Sequence, residues 1–258
     1  MATAWSRTGS GRKRVRKVEI LRAENVVKNY AKANVLKGIN LAIQEGEFVG
    51  IMGKSGSGKT TLLKILGMIE NMTDGRLVYK GKEAEKIAEK EKARIRREEL
   101  GFVFQEFFLM DSLNIIENVM LPLYIGKNAD KTGKEKAGQL MEKFGILSLG
   151  TKMPNELSGG ERQRTAICRA LINNPQVIFA DEPTGNLDSK SGRIVIEALK
   201  NINEELGKTV IMVTHDPQMA SYCSRLIFLK DGKILGEEKR MSDQQTFYRE
   251  ILEKMTDL

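Results

Sequence analysis

The octet Gly53-Lys54-Ser55-Gly56-Ser57-Gly58-Lys59-Thr60 constrains this chain more than any other feature. It matches G-x-x-x-x-G-K-[ST] in the local context that gives the pattern a purpose. Before it stands Phe48 to Met52, a short continuous apolar run of the kind a fully buried strand shows. After it the spacing predicts a helix over Thr60 to Ile69. Glycines let a loop wrap phosphate oxygens closely with its backbone N–H groups, and the following helix directs its positive end at the anion. Lys59 is suited to reach β- and γ-phosphates and Thr60 to offer a hydroxyl to Mg²⁺, with Thr61 next in the same helix start. A flexible Gly/Ser turn would not explain all four specified positions of an eight-residue pattern set between a strand and a helix.

Two further apolar runs, Val177 to Ala180 after Pro175 and Val210 to Val213 after Gly207, read as buried strands, each preceded by a helical pattern. Buried strands alternating with helices predict an α/β sheet covered on both faces. Upstream, Val18 to Val27 and Leu36 to Ile43 alternate partially, as half-buried strands do. A mainly helical insertion is expected from about 104 to 161, within an 18–235 domain, and residues 236–258 read as a helical extension. Lys82 to Glu99 holds seven basic and six acidic residues, a mixture that suits a solvated helix face.

Charge needs dissecting before it suggests a partner. Arg7, Arg12, Lys13, Arg14, Arg16 and Lys17, with no acid among them, carry most of the formal net charge of +8. Residues 1–17 are therefore expected to be a disordered basic tail, with contact to anionic lipid or nucleic acid as the alternative. No nucleic-acid partner is predicted. The longest stretch without a charged residue, Ala170 to Ala180, has eleven positions, far short of the roughly 18 of a membrane span. With no apolar signal region at the start, a cytosolic location is expected. Cys168 and Cys223 lie far apart with a single histidine in the chain, which supports neither a disulfide framework nor a zinc site.

Three more elements carry chemistry. Val177 to Ala180 leads straight into Asp181 and Glu182, two carboxylates at the end of a buried strand. Asp181 is suited to hold Mg²⁺ and Glu182 to polarise an attacking water; capping of the next helix is the alternative. Ser158-Gly159-Gly160-Glu161, after Leu157 and before a helical stretch from Arg162 to Ile172, forms either a plain helix cap or a second anion site. His215 directly follows the strand Val210 to Val213, where ligands meet the carboxyl ends of strands in an α/β sheet.

Taken in order, Tyr30, the phosphate loop, Gln105, LSGGE, the Asp181/Glu182 strand, Leu187-Asp188 and His215 resemble the ATP-binding cassette (ABC) ATPases over about residues 18 to 235. The resemblance implies a P-loop NTPase (RecA-like) α/β core with an ABC β-subdomain and an inserted α-helical subdomain. It implies ATP and Mg²⁺ as cofactors, and a homodimer in which Ser158, Gly159, Gly160 and Glu161 meet the γ-phosphate held by the opposite subunit. By the same resemblance Tyr30 stacks on adenine, Gln105 senses Mg²⁺ and water, His215 grips the γ-phosphate, and Asp188 lies at the dimer seam. An integral membrane permease is the implied partner, which would place the chain at the cytoplasmic face of the cell membrane. Phe104 to Met110, with its aromatics and Met, suits a groove for a permease helix.

Phrases such as FADEPTGNLDSKSG and ASYCSRLIFLKDGKI are similar to the subgroup serving macrolide export, lipoprotein release and antimicrobial-peptide (bacitracin or lantibiotic) resistance, the last most of all. In that subgroup a sensor kinase can be a further contact. A cell-division cassette, or a soluble ABC protein on ribosomes or DNA, stays as an alternative, though this chain has no zinc motif, long coiled coil or second cassette.

Overall fold

The structure is a computed structural model that describes residues 18–31, 33–128 and 130–256; the basic segment 1–17 lies outside them. In chain order the strands are β1 (Glu19–Tyr30), β2 (Ala33–Gln44), β3 (Phe48–Met52), β4 (Asp74–Tyr79), β5 (Lys82–Glu83), β6 (Leu100–Phe104), β7 (Val177–Asp181), β8 (Thr209–Val213), β9 (Arg225–Lys230) and β10 (Lys233–Lys239). The helices are α1 (Lys59–Leu66), α2 (Glu89–Glu98), α3 (Ile115–Ile125), α4 (Lys131–Lys143), α5 (Gly159–Leu171), α6 (Ser189–Glu204), α7 (Pro217–Ala220) and α8 (Gln244–Met255).

Two sheets result. One has the order β2-β1-β4-β5 and is antiparallel; the other has the order β10-β9-β3-β8-β7-β6. Within the second, β9, β3, β8, β7 and β6 run parallel, and β10 pairs antiparallel at one edge. The three central strands β3, β8 and β7 are the three apolar runs of the sequence. Their side chains alternate between two cores, as a period of two dictates. Val49, Ile51, Val177, Phe179, Ile211 and Val213 join the apolar face of α1 and the first sheet in one cluster. Phe48, Met52, Ile178, Ala180, Val210 and Met212 pack on the other side with α6, α7 and α8. The helix α1 is thus clamped between two sheets, which fixes the loop that precedes it.

Four local details differ from the sequence reading. The segment 236–258, expected as a helical extension, opens inside β10, which pairs with β9 as far as Lys239, and its helix spans only Gln244–Met255. The helix after the phosphate loop ends at Leu66 rather than at Ile69, because the Gly67 N–H closes it on the Leu63 carbonyl and the Met68 N–H on the Ile65 carbonyl, both at 2.9 Å. Leu100–Phe104 is a strand paired parallel with β7 that the sequence reading, which stopped at Glu99 and resumed at about 104, did not assign. The helix α5 begins at Gly159, three positions before Arg162.

Helices α3, α4 and α5 share a third apolar cluster that includes Val119, Met141 and Cys168. Asn118 ties the segment before α3 to the helix. It is fully buried, its Nδ2 donates to the carbonyls of Met110, Leu113 and Asn114 at 2.9–3.1 Å, and its Oδ1 accepts from the Met110 N–H at 2.7 Å. Asn118→Ala strands buried polar groups on that segment, so a loss of about 1–3 kcal/mol in unfolding free energy is expected from urea titration. An unchanged midpoint would show that the segment does not depend on this side chain.

Candidate functional site

Every chemical group singled out near the phosphate loop stands at the carboxyl end of a parallel strand. The registers Phe104↔Asp181, Asp181↔Val213 and Ile51↔Val213 bring the ends of β6, β7, β8 and β3 level. From those ends emerge Gln105, Asp181 with Glu182, His215 and the phosphate loop. Open α/β sheets bind ligands outside such strand ends. A cleft of about 660 Å³ lies there, lined by Ser55, Gly56, Gly58, Lys59, Thr60, Thr61, Gln105, Glu182, His215 and Val35.

The loop is built for close approach. Gly56 and Gly58 have φ of +79° and +101°, and a Cβ on Gly58 would lie 2.8 Å from Leu36 Cδ2 and 3.0 Å from the Val35 carbonyl oxygen. Gly53 would drive a Cβ to within 2.1 Å of the Leu229 carbonyl oxygen, while the Ser57 N–H closes the turn on the Lys54 carbonyl at 3.2 Å. The N-cap Gly58 makes no side-chain cap, so the first-turn N–H groups of α1 are left for an anion. Lys59 is buried, and its Nζ donates to the carbonyls of Gly53 and Lys54 at 2.8 and 2.9 Å. Burial lowers its pKa, opposed by the nearby Glu182 and Asp181 carboxylates.

Across the cleft, Thr60 Oγ1 donates to Asp181 Oδ1 at 2.9 Å. Burial raises the Asp181 pKa, with the Thr60 hydroxyl opposing. One hydroxyl and one carboxylate suit a divalent cation that takes its other ligands from phosphates and water, which is how Mg²⁺ is usually held; the donor set fits. Glu182 has φ +46°, a rare conformation for a non-glycine residue. The turn that holds it is fixed by Glu182 N–H to the Val213 carbonyl and by Gly185 N–H to the Glu182 carbonyl, both 3.0 Å. Its Oε2 lies 2.7 Å from Nδ1 of His215, whose side chain is 69% exposed. Neither carboxylate caps the following helix, because Asp188 does so by accepting from Lys190 N–H and Ser191 N–H at 3.0 Å.

Gln105 rests against the turn after Glu182: its Nε2 donates to Asn186 Oδ1 at 2.9 Å, and Asn186 Nδ2 returns a bond to the Gln105 carbonyl at 3.2 Å. Just beyond, Phe107 and Phe108 both have positive φ, and the half-buried Arg169 donates to both of their carbonyls. Burial pushes the Arg169 pKa down to about 10. Gln163, fully buried on α5, donates to the Pro183 carbonyl at 2.6 Å and the Phe104 carbonyl at 3.3 Å, joining α5 to both loops. Asn186, Arg169 and Gln163 carry no motif of their own in one sequence; only the fold shows what they hold.

Two groups of candidates lie away from the cleft. Ser158 caps α5 in a reciprocal box, with Glu161 accepting from the Ser158 N–H at 2.8 Å and from its hydroxyl at 2.7 Å. These bonds hold the Glu161 pKa low. Residues 158–161 and Asp188 do not line the cleft. Tyr30 does not line it either; it ends β1, is 45% exposed, and its hydroxyl donates to Glu70.

A phosphate loop on a parallel sheet, with acids and a polar sensor at the neighbouring strand ends, defines a nucleotide-hydrolysing ATPase. The sequence matches the ABC transporter family over residues 36–185, and the chain belongs to that family as an ATPase. It is 48% identical to the bacitracin export ATP-binding protein BceA of Halalkalibacterium halodurans, over 90% of this chain and 94% of that protein. It is 44% identical to the macrolide export ATP-binding/permease protein MacB of Campylobacter jejuni over 90% of this chain, and spans 36% of that longer protein. Among solved structures, the ATP-binding cassette MJ0796 of Methanocaldococcus jannaschii, a dimer in a post-hydrolysis state bound to ADP and Pi, aligns with a TM-score of 0.80 at 42% identity. The alignment covers 86% of this chain and all of that one.

Proposed function

We propose that this chain is the motor subunit of an antimicrobial-peptide export or resistance system, in which two copies close on ATP and drive a membrane permease from the cytoplasmic face. The observation that carries the motor reading is the separation of the capped start of α5 from the chain's own cleft. An anion-suited helix end with no anion of its own to meet is complete only when a second copy faces it. The Lys59 ammonium and the first-turn N–H groups of α1 hold the phosphates, Glu182 takes a proton from the attacking water, and His215 orients both. Thr60, Asp181 and Gln105 would hold Mg²⁺, which would neutralise phosphate charge there. Tyr30 carries the adenine, and Asp188 stands at the seam.

A groove of about 490 Å³ supports the permease reading. Phe102, Phe104, Phe108, Leu121 and Ile125 line it together with Arg169, and Phe108 is 61% exposed. Its position next to Gln105 puts permease contact and nucleotide sensing on one short segment. Among the described residues no helix is long and apolar enough to cross a membrane, so force must pass through such a surface. The peptide substrate class rests on kinship with the bacitracin export protein; a sensor kinase as a further contact of the permease rests on the subgroup resemblance of the sequence alone.

Co-purification of the tagged chain from membranes tests the reading. A polytopic permease is expected as the stable partner, and Phe108→Asp is expected to reduce its recovery roughly tenfold with nucleotide affinity unchanged. Ribosomes or nucleic acid as the stable partner would contradict it.

A further inference from the structure

The turn after α1 holds an acidic residue that no motif accounts for. The backbone N–H groups of Ile69 and Glu70 both donate to the Lys64 carbonyl, at 2.9 and 3.2 Å, so Glu70 is locked onto the helix that begins at the phosphate loop. Its carboxylate accepts from the Tyr30 hydroxyl and pairs with Lys28 Nζ at 2.9 Å. Lys28 Nζ also donates to the Asn71 carbonyl at 2.7 Å and sits 4.9 Å from the centroid of the Tyr30 ring. Burial would raise the Glu70 pKa, but the Lys28 and Tyr30 donors prevail and hold it below the usual carboxylate range, so the carboxylate is charged at neutral pH.

We infer that Glu70, with Lys28 as its counter-ion, is the positioning residue for base recognition, fixing Tyr30 relative to the phosphate cradle. This rests on the reading that Tyr30 carries the adenine. The Lys28 ammonium covers one face of the ring, and a cation over an aromatic face is itself attractive. Tyr30 is 45% exposed, so ring surface remains for a purine. Tyr30 belongs to the antiparallel sheet and the cradle to the α1 loop; the hydroxyl–carboxylate bond ties one to the other. A platform held in place before the ligand arrives spares the ordering cost of binding.

The test separates the base from the phosphates. ADP and inorganic pyrophosphate are titrated calorimetrically into the full chain and into Glu70→Ala, Glu70→Gln, Tyr30→Phe, Tyr30→Ala and the Tyr30→Phe/Glu70→Ala double variant. Expected is a roughly fivefold weaker ADP affinity in Glu70→Ala and in Tyr30→Phe, with no further loss in the double variant, as coupled partners require. Pyrophosphate affinity stays unchanged throughout, and Glu70→Gln, which keeps an acceptor for the hydroxyl, recovers most of the loss. If Tyr30→Ala weakens ADP while Glu70→Ala does not, the positioning role is overturned and the adenine reading stands. If Glu70→Ala weakens ADP and pyrophosphate alike, Glu70 supports the cradle as a whole and the inference also fails. If Tyr30→Ala leaves ADP affinity unchanged, the adenine reading itself fails and this inference with it.

Discussion

Glu182→Gln is expected to bind ATP with near-normal affinity and to hydrolyse it roughly 10² to 10⁴ times more slowly, the usual contribution of a positioned general base. The side chain is placed for that role by its surroundings. A left-handed backbone turn, fixed by bonds to Val213 and from Gly185, sets the carboxylate at the end of β7, and the imidazole of His215 lies against it at 2.7 Å. Glutamine keeps the size and the contact with His215 but cannot take a proton from water. Single-turnover phosphate release measures the loss. A rate within tenfold of the unaltered protein would move the proton-accepting role to another group.

The second large effect is on binding. Lys59→Ala is expected to weaken ATP affinity by roughly 10- to 100-fold, as follows from losing a charge-assisted hydrogen bond of about 1.5–3 kcal/mol. The ammonium is held in the loop by the Gly53 and Lys54 carbonyls, and burial already depresses its pKa. An incoming triphosphate would restore the charge balance that burial disturbs, so cation and ligand stabilise each other. Substitution removes the charge and leaves two loop carbonyls without their donor. Titration calorimetry reads the change directly. Unchanged affinity would contradict the phosphate role of the loop.

Sequence alone was informative where one residue pattern has one physical purpose. The apolar run Phe48 to Met52 is a strand with those bounds, since only burial on both faces tolerates five such residues in a row. Asp181, Glu182 and His215 could be tied to one cleft because each follows a buried run, and parallel strands present their ends together. Leu100–Phe104 was hidden because the charged residues of α2 run directly into it, and a five-residue apolar stretch gives no period of its own. Glu70 and Lys28 were illegible for another reason. They lie 42 positions apart, and their partnership exists only because the turn after α1 folds back beside the end of β1. The Ser158 cap shows the opposite case: its local geometry follows from sequence, but its separation from the cleft does not.

Sedimentation velocity of Glu182→Gln at saturating ATP and Mg²⁺ tests the sandwich, compared with the same variant carrying Gly159→Asp. The three atoms nearest a Cβ at Gly159 would be Leu187 Cδ2 at 3.1 Å, Asn186 O at 3.6 Å and Phe107 Cζ at 3.9 Å, so a side chain is accepted with a shift of the flexible Leu187 side chain while adding a negative charge at the start of α5. A species of twice the chain mass is expected for Glu182→Gln, and a monomer that still binds ATP once the aspartate is added. A monomer in the first case, or a dimer in both, would contradict the sandwich.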